Sequence, residues 1–347
     1  MHGVKRLSQE KRLAKRKENE ERAAAYRGRS KAAFERREKK QFDQESLDAI
    51  QKVVLENPDH ATMWNFRREV LQAMHPPSAG DTEERKAACK AEFQLTQEGL
   101  QINPKSYPVW YHRQWVLEWG ECKWQWPIEL KLTAKFLALD DRNFHCWTYR
   151  RFVVQVAGVS AEMELTFTTQ KVEANFSNYS AWHYRSKLLP KLDGGDGSSS
   201  SSSGSDGSLG GRIKSDLQLV RNAFFTAPED SSAWFYHRWL LAQLHPNSTS
   251  SAKTGSSSEY AGILSEEATM VDELLELEPE CKWALAAAVF LRREQTALDG
   301  KSDGGGAEDE EKHAERLAEL KRVDPMRVRY YTESGGTAAA AAPVKID

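Results

Sequence analysis

Hydrophobic residues recur along most of the chain at intervals of three and four, which is the spacing of one face of an α-helix. Leu47, Ile50 and Val54 form one such run, and Phe136 and Leu137 lie in another. A proline, asparagine or aspartate interrupts the pattern after each run, and a second hydrophobic run follows. The pattern therefore predicts an all-α chain built from pairs of helices joined by tight turns.

The second helix of each pair carries a shared signature, an aromatic residue followed three positions later by arginine. Residues at this spacing lie on one face of a helix. In the fifth copy we assign the aromatic position to Phe235, although Trp234 precedes it, and a weaker sixth copy lies around Trp283. The five pairs are Trp64 and Arg67, Trp110 and Arg113, Trp147 and Arg150, Trp182 and Arg185, and Phe235 and Arg238.

A repeated hairpin has a consequence for the fold. One pair of helices cannot bury both of its faces, whereas stacked pairs can, so we predict a crescent-shaped solenoid, an α-α superhelix. A residue that is present in every unit serves the packing that every unit shares. We therefore expect each tryptophan to lie between repeats and each arginine to bind an acid or carbonyl of a neighbouring repeat. A ladder of ligand-binding arginines is the alternative.

Composition divides the chain further. Residues 1–40 hold 15 Lys and Arg against 6 Asp and Glu and predict a basic helical segment, exposed or resting on a partner. The repeat domain is predicted at 41–332, and the alanine-rich tail at 333–347 is expected to be disordered. Stretches rich in serine, glycine or acid interrupt the repeats and predict inserted loops at 194–211, 246–258 and 299–311.

The bulk chemistry excludes several classes of protein. A net charge of -2, and acids interleaved among the N-terminal basic residues, argue against nucleic-acid binding. The start of the chain has no secretory signal pattern, and no run of about 20 hydrophobic residues predicts a transmembrane segment. Four cysteines without a CxxC spacing form neither a disulfide framework nor a zinc-ligand pattern. We therefore expect a cytoplasmic protein.

The sequence contains none of the common catalytic motifs: no GxxxxGK[ST], GxGxxG, HExxH or GxSxG is present. One place could bind an anion, because Lys105 and Tyr107 stand at the predicted start of a helix, whose free N–H groups attract negative charge. On the residues alone, an exposed turn lysine is the ordinary interpretation of Lys105. If the protein takes part in catalysis, another chain holds the metal and activates the nucleophile.

The Trp-x-x-Arg hairpin resembles the repeat of protein prenyltransferase α subunits. Longer strings are similar to the branch of that family that modifies Rab GTPases, at residues 1–3, 58–71, 103–107, 141–152, 175–186 and 232–241. The resemblance implies a heterodimer whose β subunit carries zinc and the isoprenoid pocket. It further implies transfer of geranylgeranyl from geranylgeranyl diphosphate to Rab cysteines, with the Rab protein presented by an escort protein that docks on outer helices of the α subunit.

The same resemblance assigns roles to particular residues. Lys105 matches the lysine with which the family's α subunit stabilises the leaving diphosphate, and Tyr107 would be a second substrate contact. Phe144 stands where farnesyl-type α subunits place a tyrosine. This chain is not expected to bind metal itself, although His2 is a candidate contact to the zinc of the β subunit.

Two alternatives remain open at this point. The first is the α subunit that farnesyltransferase and the type I geranylgeranyltransferase share, and Phe144 counts against it. The second is a non-enzymatic helical-repeat scaffold of the TPR type, whose repeat has a different signature and a regular period of 34 residues.

Overall fold

A computed structural model describes residues 9–76, 82–192, 208–299 and 307–335, and every regular element in these ranges is a helix. The prediction of an all-α chain of helical hairpins is confirmed. The chain divides into two compact units, the first ending at Gly158 and the second beginning at Val159. None of the helices in the described ranges is long and apolar enough to cross a membrane.

The first unit contains one long helix followed by three hairpins. Helix α1 packs on α2, each hairpin pairs α2 with α3, α4 with α5 and α6 with α7, and the second helices α3, α5 and α7 contact one another in order. The bounds are α1 Gln9–Glu38, α2 Gln44–Glu56, α3 Ala61–Met74, α4 Glu83–Ile102, α5 Tyr107–Trp119, α6 Trp126–Leu139 and α7 Phe144–Ala157.

The second unit repeats this arrangement. Hairpins α8/α9, α10/α11 and α12/α13 stack through α9, α11 and α13, and α14 packs on α13. The bounds are α8 Ala161–Ala174, α9 Tyr179–Leu188, α10 Leu209–Thr226, α11 Ser231–Leu244, α12 Ser257–Leu277, α13 Lys282–Asp299, α14 Ala307–Val323 and α15 Val328–Gly335. Three short 3₁₀ turns lie at Lys123–Gln125, Leu189–Leu192 and Pro325–Arg327.

The helix bounds shorten the three insertions that were predicted from composition. Helix α10 begins at Leu209, α12 at Ser257 and α14 at Ala307, so the last residues of all three stretches are helical. Helix α15 reaches Gly335, inside the segment that composition assigned to a tail. Residues 194–207, 300–306 and 336–347 lie outside the described residues.

Each hairpin turn is fixed by a tryptophan of its second helix. The indole Nε1 of Trp64 donates to the carbonyl of Pro58 at 2.8 Å. The same bond to the residue six positions earlier recurs at 2.8–2.9 Å for Trp110, Trp147, Trp182 and Trp234. The buried tryptophan thus provides a hydrogen-bond donor to a carbonyl of the turn in each of these hairpins.

This bond corrects the assignment of the fifth repeat. Trp234, not Phe235, occupies the tryptophan position, since its side chain is buried whereas Phe235 is half exposed. The residue three positions on is therefore His237, whose Nε2 lies 3.0 Å from Glu267. Arg238 is one step further around the helix and stacks over the ring of Phe290 at 4.2 Å. Because Arg238 follows Phe235 by three positions, this pair matches the repeat signature although it is one residue out of register.

Five acids on the described first helices are buried: Glu92, Glu129, Glu164, Asp216 and Glu267. Glu92, Glu129, Asp216 and Glu267 join neighbouring hairpins through the contacts given below, and we call these four the carboxylate nodes. At the first node, Arg67 of the preceding hairpin donates to Glu92 through Nε at 2.7 Å and Nη2 at 2.6 Å. Arg113 binds Glu129, and Arg185 binds Asp216, in the same bidentate way. These are the packing contacts that the sequence pattern predicts for the arginines.

Three of the nodes, Glu92, Glu129 and Asp216, also receive a bond from their own hairpin. The donor lies two positions after the tryptophan and 20 residues after the acid: His112 to Glu92 at 2.9 Å, and Tyr149 to Glu129 at 2.7 Å. Tyr236 binds Asp216 at the equivalent place. Buried charges are tolerated only when they are paired and hydrogen-bonded, and these carboxylates meet both conditions.

Candidate functional site

Lys105 lies in the turn between α4 and α5, two residues before Tyr107, the first residue of α5. Its own N–H donates to the side chain of Asn103 at 3.1 Å, which fixes the turn. The hydroxyl of Ser106, at the N-cap, donates to the carbonyl of Pro58 at 3.1 Å and does not cap α5. The positive end of α5 therefore has no side-chain acceptor at its N-cap, next to a lysine.

The ammonium group of Lys105 is held by an acid of the next turn. Its Nζ lies 3.0 Å from Oδ2 of Asp140, and about two thirds of the lysine side chain is exposed. The hydrogen bond from Lys105 lowers the pKa of Asp140 below its usual range. An exposed pair of this kind adds at most about 1 kcal/mol of stability, so its main effect is to orient Lys105.

The equivalent contact one repeat earlier has its donor and acceptor interchanged. Asn103 donates to Oδ2 of Asp59 at 2.9 Å. In both cases the residue five positions before one tryptophan meets the residue seven positions before the next. Lys105 therefore occupies the position in its repeat that Asp59 occupies in the preceding repeat. Likewise, Asp140 occupies the position that the neutral Asn103 occupies in the preceding repeat. The turn contact is structural, and only the charges differ.

Exposed aromatic residues of the second helices border Lys105. The rings of Tyr107 and Tyr111 stack with centroids 6.1 Å apart, and the guanidinium of Arg68 lies 4.9 Å from the centroid of Tyr111. Phe144 is 65% exposed and its ring contacts His145, which also lies near Tyr107. A lysine, a phenol and an apolar surface therefore meet at one edge of the first unit.

His145 contributes little charge to this site. Partial burial lowers the pKa of its imidazole, Asp59 raises that pKa, and Lys105 lowers it; the net shift is downward. The imidazole is therefore neutral at pH 7, and Lys105 carries the positive charge beside it.

The arrangement can bind and neutralise an anion, and Tyr107 can donate a further hydrogen bond. Among the residues that the structure describes, no group of three His, Cys, Asp or Glu is placed to hold a metal ion. All four cysteines are buried thiols. His2 lies outside the described residues. Sequence reasoning missed Asp140, Arg68 and His145, although an aspartate in a row of asparagines seven positions before the tryptophans was a visible signal for Asp140.

A second surface feature lies in the second unit, between the first helices α10 and α12. It is a groove with Phe225, which is 45% exposed, and Met270 among its lining residues. Arg221 lies at one side and binds Glu267 at 2.8 Å and Glu266 at 3.5 Å. The groove thus combines an exposed aromatic ring with a charged border.

Five segments of the chain match the model of the protein prenyltransferase alpha subunit repeat, at residues 43–74, 89–120, 126–157, 161–192 and 213–244. Each matched segment begins 21 residues before a tryptophan, and in the last segment that residue is Trp234. The match thus agrees with the hydrogen bond that fixes the register of the fifth repeat, and it argues against a TPR-type scaffold.

Several curated proteins are similar over long stretches. The geranylgeranyl transferase type-2 subunit alpha of Dictyostelium discoideum is 37% identical over 336 residues, which cover 95% of this chain and 98% of that protein. The proteins of the same name from Rattus norvegicus and Homo sapiens are 45% identical over 253 and 258 residues. Those alignments cover 71% of this chain but only 43% and 42% of the mammalian proteins, so the chain spans less than half of their length.

A solved structure shares the fold. The Candida albicans protein geranylgeranyltransferase-I complexed with GGPP matches with a TM-score of 0.63 over 90% of both chains, at 16% sequence identity. At that identity the match supports the helical-repeat architecture and no more specific property.

Proposed function

The chain belongs to the protein prenyltransferase alpha subunit family, and from this premise we propose that it is the α subunit of a cytoplasmic, heterodimeric Rab geranylgeranyltransferase. The enzyme transfers geranylgeranyl from geranylgeranyl diphosphate to C-terminal cysteines of Rab GTPases presented by an escort protein. The identity to the Dictyostelium relative, which extends over nearly the full length of both chains, is the observation that supports this assignment most strongly.

In this proposal the β subunit holds the zinc and the isoprenoid pocket, and zinc supplies the activation of the substrate cysteine as a thiolate. The α subunit contributes charge. When the bond between the isoprenoid and the diphosphate breaks, negative charge grows on the diphosphate oxygens. Cations that are already in place lower the barrier to such a step.

Lys105 is the residue that we assign to this task. An ammonium group has three N–H donors, and Asp140 engages one of them at 3.0 Å, which leaves two for diphosphate oxygens. The positive end of α5 reinforces the lysine, and the hydroxyl of Tyr107 provides a further contact. Asp140 thus orients the Lys105 side chain and leaves two of its N–H donors available to an anion.

Phe144 bears on the choice between branches of the family. The family resemblance implies a tyrosine at this position in farnesyl-type α subunits, and a tyrosine would offer one more hydroxyl beside Lys105. Phe144 is exposed at the same edge but offers only a hydrocarbon surface. This difference favours the Rab-modifying branch.

The groove between α10 and α12 is our candidate for escort-protein docking. It lies on the first helices α10 and α12 and exposes Phe225 beside Arg221. Aromatic residues and arginine are enriched at protein–protein interfaces.

The function is tested by reconstitution. The chain is co-expressed with a β subunit of the Rab-type enzyme and with one of the CaaX type, and each complex is assayed on a Rab–escort complex and on a CaaX peptide. We expect transfer only to the Rab protein and only with the Rab-type β subunit. Transfer to the CaaX peptide alone would establish the farnesyl-type alternative instead. Phe225→Ala should weaken escort binding and leave heterodimer formation unchanged.

The role of Lys105 is tested by single-turnover prenylation. Lys105→Ala should slow transfer by about 100-fold, the usual consequence of removing one preorganised donor to a developing anion. Lys135→Ala is the matched control, because Lys135 is an exposed lysine on the first helix α6 and its loss should leave the rate unchanged. Both variants should form the heterodimer. Equal rates for the two variants would remove Lys105 from catalysis.

A further inference from the structure

Tyr107 stands at the surface, yet its ring is in contact with two others. The residue is 64% exposed. Its ring nevertheless lies parallel to that of Tyr111 within 12°, and the ring of His145 on α7 lies 6.1 Å away at a tilt of 57°. An exposed side chain without neighbours samples several staggered rotamers, and contacts of this kind favour one of them. The position of the Tyr107 hydroxyl therefore depends on the rings around it.

The neighbouring Tyr111 is itself held from the preceding hairpin. The guanidinium carbon of Arg68, on α3, lies 4.9 Å from the centroid of the Tyr111 ring. A guanidinium at this distance is attracted by the electron-rich face of a phenol ring. Tyr111 is 46% exposed, so burial alone does not fix it. Arg68, Tyr111 and Tyr107 thus form one continuous row of contacts, which we call the Arg68 stack.

Arg68 is fixed by two uncharged groups. Its Nη2 donates to the side chain of Asn65, and its Nη1 lies 3.5 Å from Nδ1 of His112. His112 is completely buried, burial lowers the pKa of its imidazole, and its Nε2 lies 2.9 Å from the carboxylate of Glu92. Because Glu92 is ionised, Nε2 carries the proton of the neutral ring and Nδ1 is the acceptor that faces Arg68.

The Arg68 stack therefore begins in the core and ends at the candidate site. Its inner end rests on His112, which belongs to the carboxylate node at Glu92. Its outer end is the ring of Tyr107, two positions after Lys105. Side chains on which a functional group depends are most effective when packing and hydrogen bonds lock their own rotamers. The geometry of the stack meets that requirement for the Tyr107 hydroxyl.

We propose that Arg68 and Tyr111 are positioning residues, which hold the Tyr107 hydroxyl in the orientation in which it contacts the diphosphate. This inference rests on the proposed function, which supplies the diphosphate and gives Tyr107 its role. Neither Arg68 nor Tyr111 touches the substrate; both act through the ring of Tyr107. Direct binding of the diphosphate by Arg68 is the alternative that the experiment separates.

The test is a mutant cycle on single-turnover transfer by the heterodimer. Tyr107→Phe removes the hydroxyl that bonds the charged leaving group and should slow transfer by about tenfold. Tyr111→Ala releases the ring of Tyr107 into its three staggered rotamers and should slow transfer by about threefold. Arg68→Met weakens the stack and should slow transfer by about twofold. Without the hydroxyl there is nothing to position, so Y107F/Y111A and Y107F/R68M should be as slow as Tyr107→Phe alone.

Two variants serve as controls. Tyr111→Phe keeps the stacking ring and should restore the rate that Tyr111→Ala loses. Tyr179 and His183 form the equivalent stacked pair on α9, with centroids 6.1 Å apart and an angle of 14°. Tyr179→Ala should leave the rate unchanged, because that pair belongs to another hairpin. Gel filtration verifies that every variant forms the heterodimer.

Losses that add in the double variants would overturn the inference, since they would mean that Tyr111 or Arg68 acts independently of Tyr107. A Tyr111→Phe variant as slow as Tyr111→Ala would overturn it as well. Fluorine NMR of the full chain with ring-fluorinated tyrosines provides a readout without catalysis. The Tyr107 signal, identified by its loss in Tyr107→Phe, should move toward that of free fluorotyrosine in Tyr111→Ala, and an unmoved signal would refute the stack.

Failure of the proposed function has a different signature. A wild-type complex that modifies neither the Rab protein nor the CaaX peptide would refute that function. The fluorine signal of Tyr107 still decides in that case whether Tyr111 holds its ring.

Discussion

Replacing Glu92 by glutamine isolates the charge at one carboxylate node. Burial alone would raise the pKa of Glu92, but the charge of Arg67 and the hydrogen bonds from His112 and Arg67 outweigh it and lower the pKa to about 2. Glutamine keeps the shape of the side chain and leaves the guanidinium of Arg67, which is only 4% exposed, without its counter-charge. Breaking a buried pair in this way costs about 3–5 kcal/mol of unfolding free energy.

The same shift predicts a pH dependence of stability. The folded-state pKa of about 2 lies below the unfolded value of 4.5, so the unfolded chain binds more protons between these values. The stabilisation by Glu92 is complete above pH 4.5 and is lost as the pH falls toward 2. By pH 3 the loss is about 2 kcal/mol, from the two pKa values and 1.36 kcal/mol per unit.

The assay is denaturant unfolding of both proteins at several pH values. Tryptophan fluorescence reports on the same unit, because Trp64 lies 4.7 Å from the ring of His112. The gap in unfolding free energy between wild type and Glu92→Gln should be about 3–5 kcal/mol at pH 7 and about 2 kcal/mol narrower at pH 3. A gap that stays constant from pH 7 to pH 3 would refute the assignment of charge to this node.

Three further sets of substitutions probe the packing and the backbone conformation. Trp234→Ala should cost about 3–5 kcal/mol of stability and Phe235→Ala about 1 kcal/mol or less, because only the first side chain is buried. Gly120→Ala should destabilise by about 1–3 kcal/mol, since a β-carbon there overlaps the sulfur atoms of Cys89 and Cys122, and Cys89→Ala in the same chain should restore part of the loss. Lys40→Gly should stabilise by about 0.5–1 kcal/mol, because Lys40 has a φ of 52° after the end of α1. Thermal and denaturant unfolding measure all three.

Each of these expectations has a contrary result. Equal costs at positions 234 and 235 would contradict the corrected register of the fifth repeat. A Gly120→Ala loss that Cys89→Ala does not relieve would place the clash elsewhere. Lys39→Gly is the control for position 40 and should not stabilise; a similar gain from both would mean that the left-handed backbone at position 40 is not the cause.

Much of the fold was accessible from the sequence, because local rules determine it. The interval of three to four residues identified the helices, and the turn residues identified the breaks. The register of the fifth repeat was not accessible, because Phe235 and Arg238 imitate the signature one position out of place. What distinguishes Trp234 is its hydrogen bond to the carbonyl of Pro228, which a sequence does not display.

The carboxylate nodes were also missed, for a reason that spacing explains. The arginine and its acid are 25, 16 and 31 residues apart at Glu92, Glu129 and Asp216, because loops of different length intervene. The bond within each hairpin keeps a constant separation of 20 residues. That constant interval was the signal that could have located the acids. At the candidate site, the role of Lys105 stays a prediction from the sequence, whereas its partner Asp140 belongs to another repeat and required the structure.

The carboxylate nodes have a consequence for how such a chain can evolve. Each node acid neutralises a cation that the preceding hairpin contributes, so the charge at a node is balanced between two hairpins. Deleting or exchanging one hairpin would leave a buried arginine of the preceding hairpin, or a buried acid of the following hairpin, without its matching partner. Drift at Arg67, Arg113 or Arg185 is therefore constrained by a residue in the following module, and members of the family should exchange the two partners together or not at all. At Glu267 the acid is kept and the cation comes from a different place in the fifth hairpin, since His237 stands at the arginine position and Arg221 of α10 lies 2.8 Å from the carboxylate.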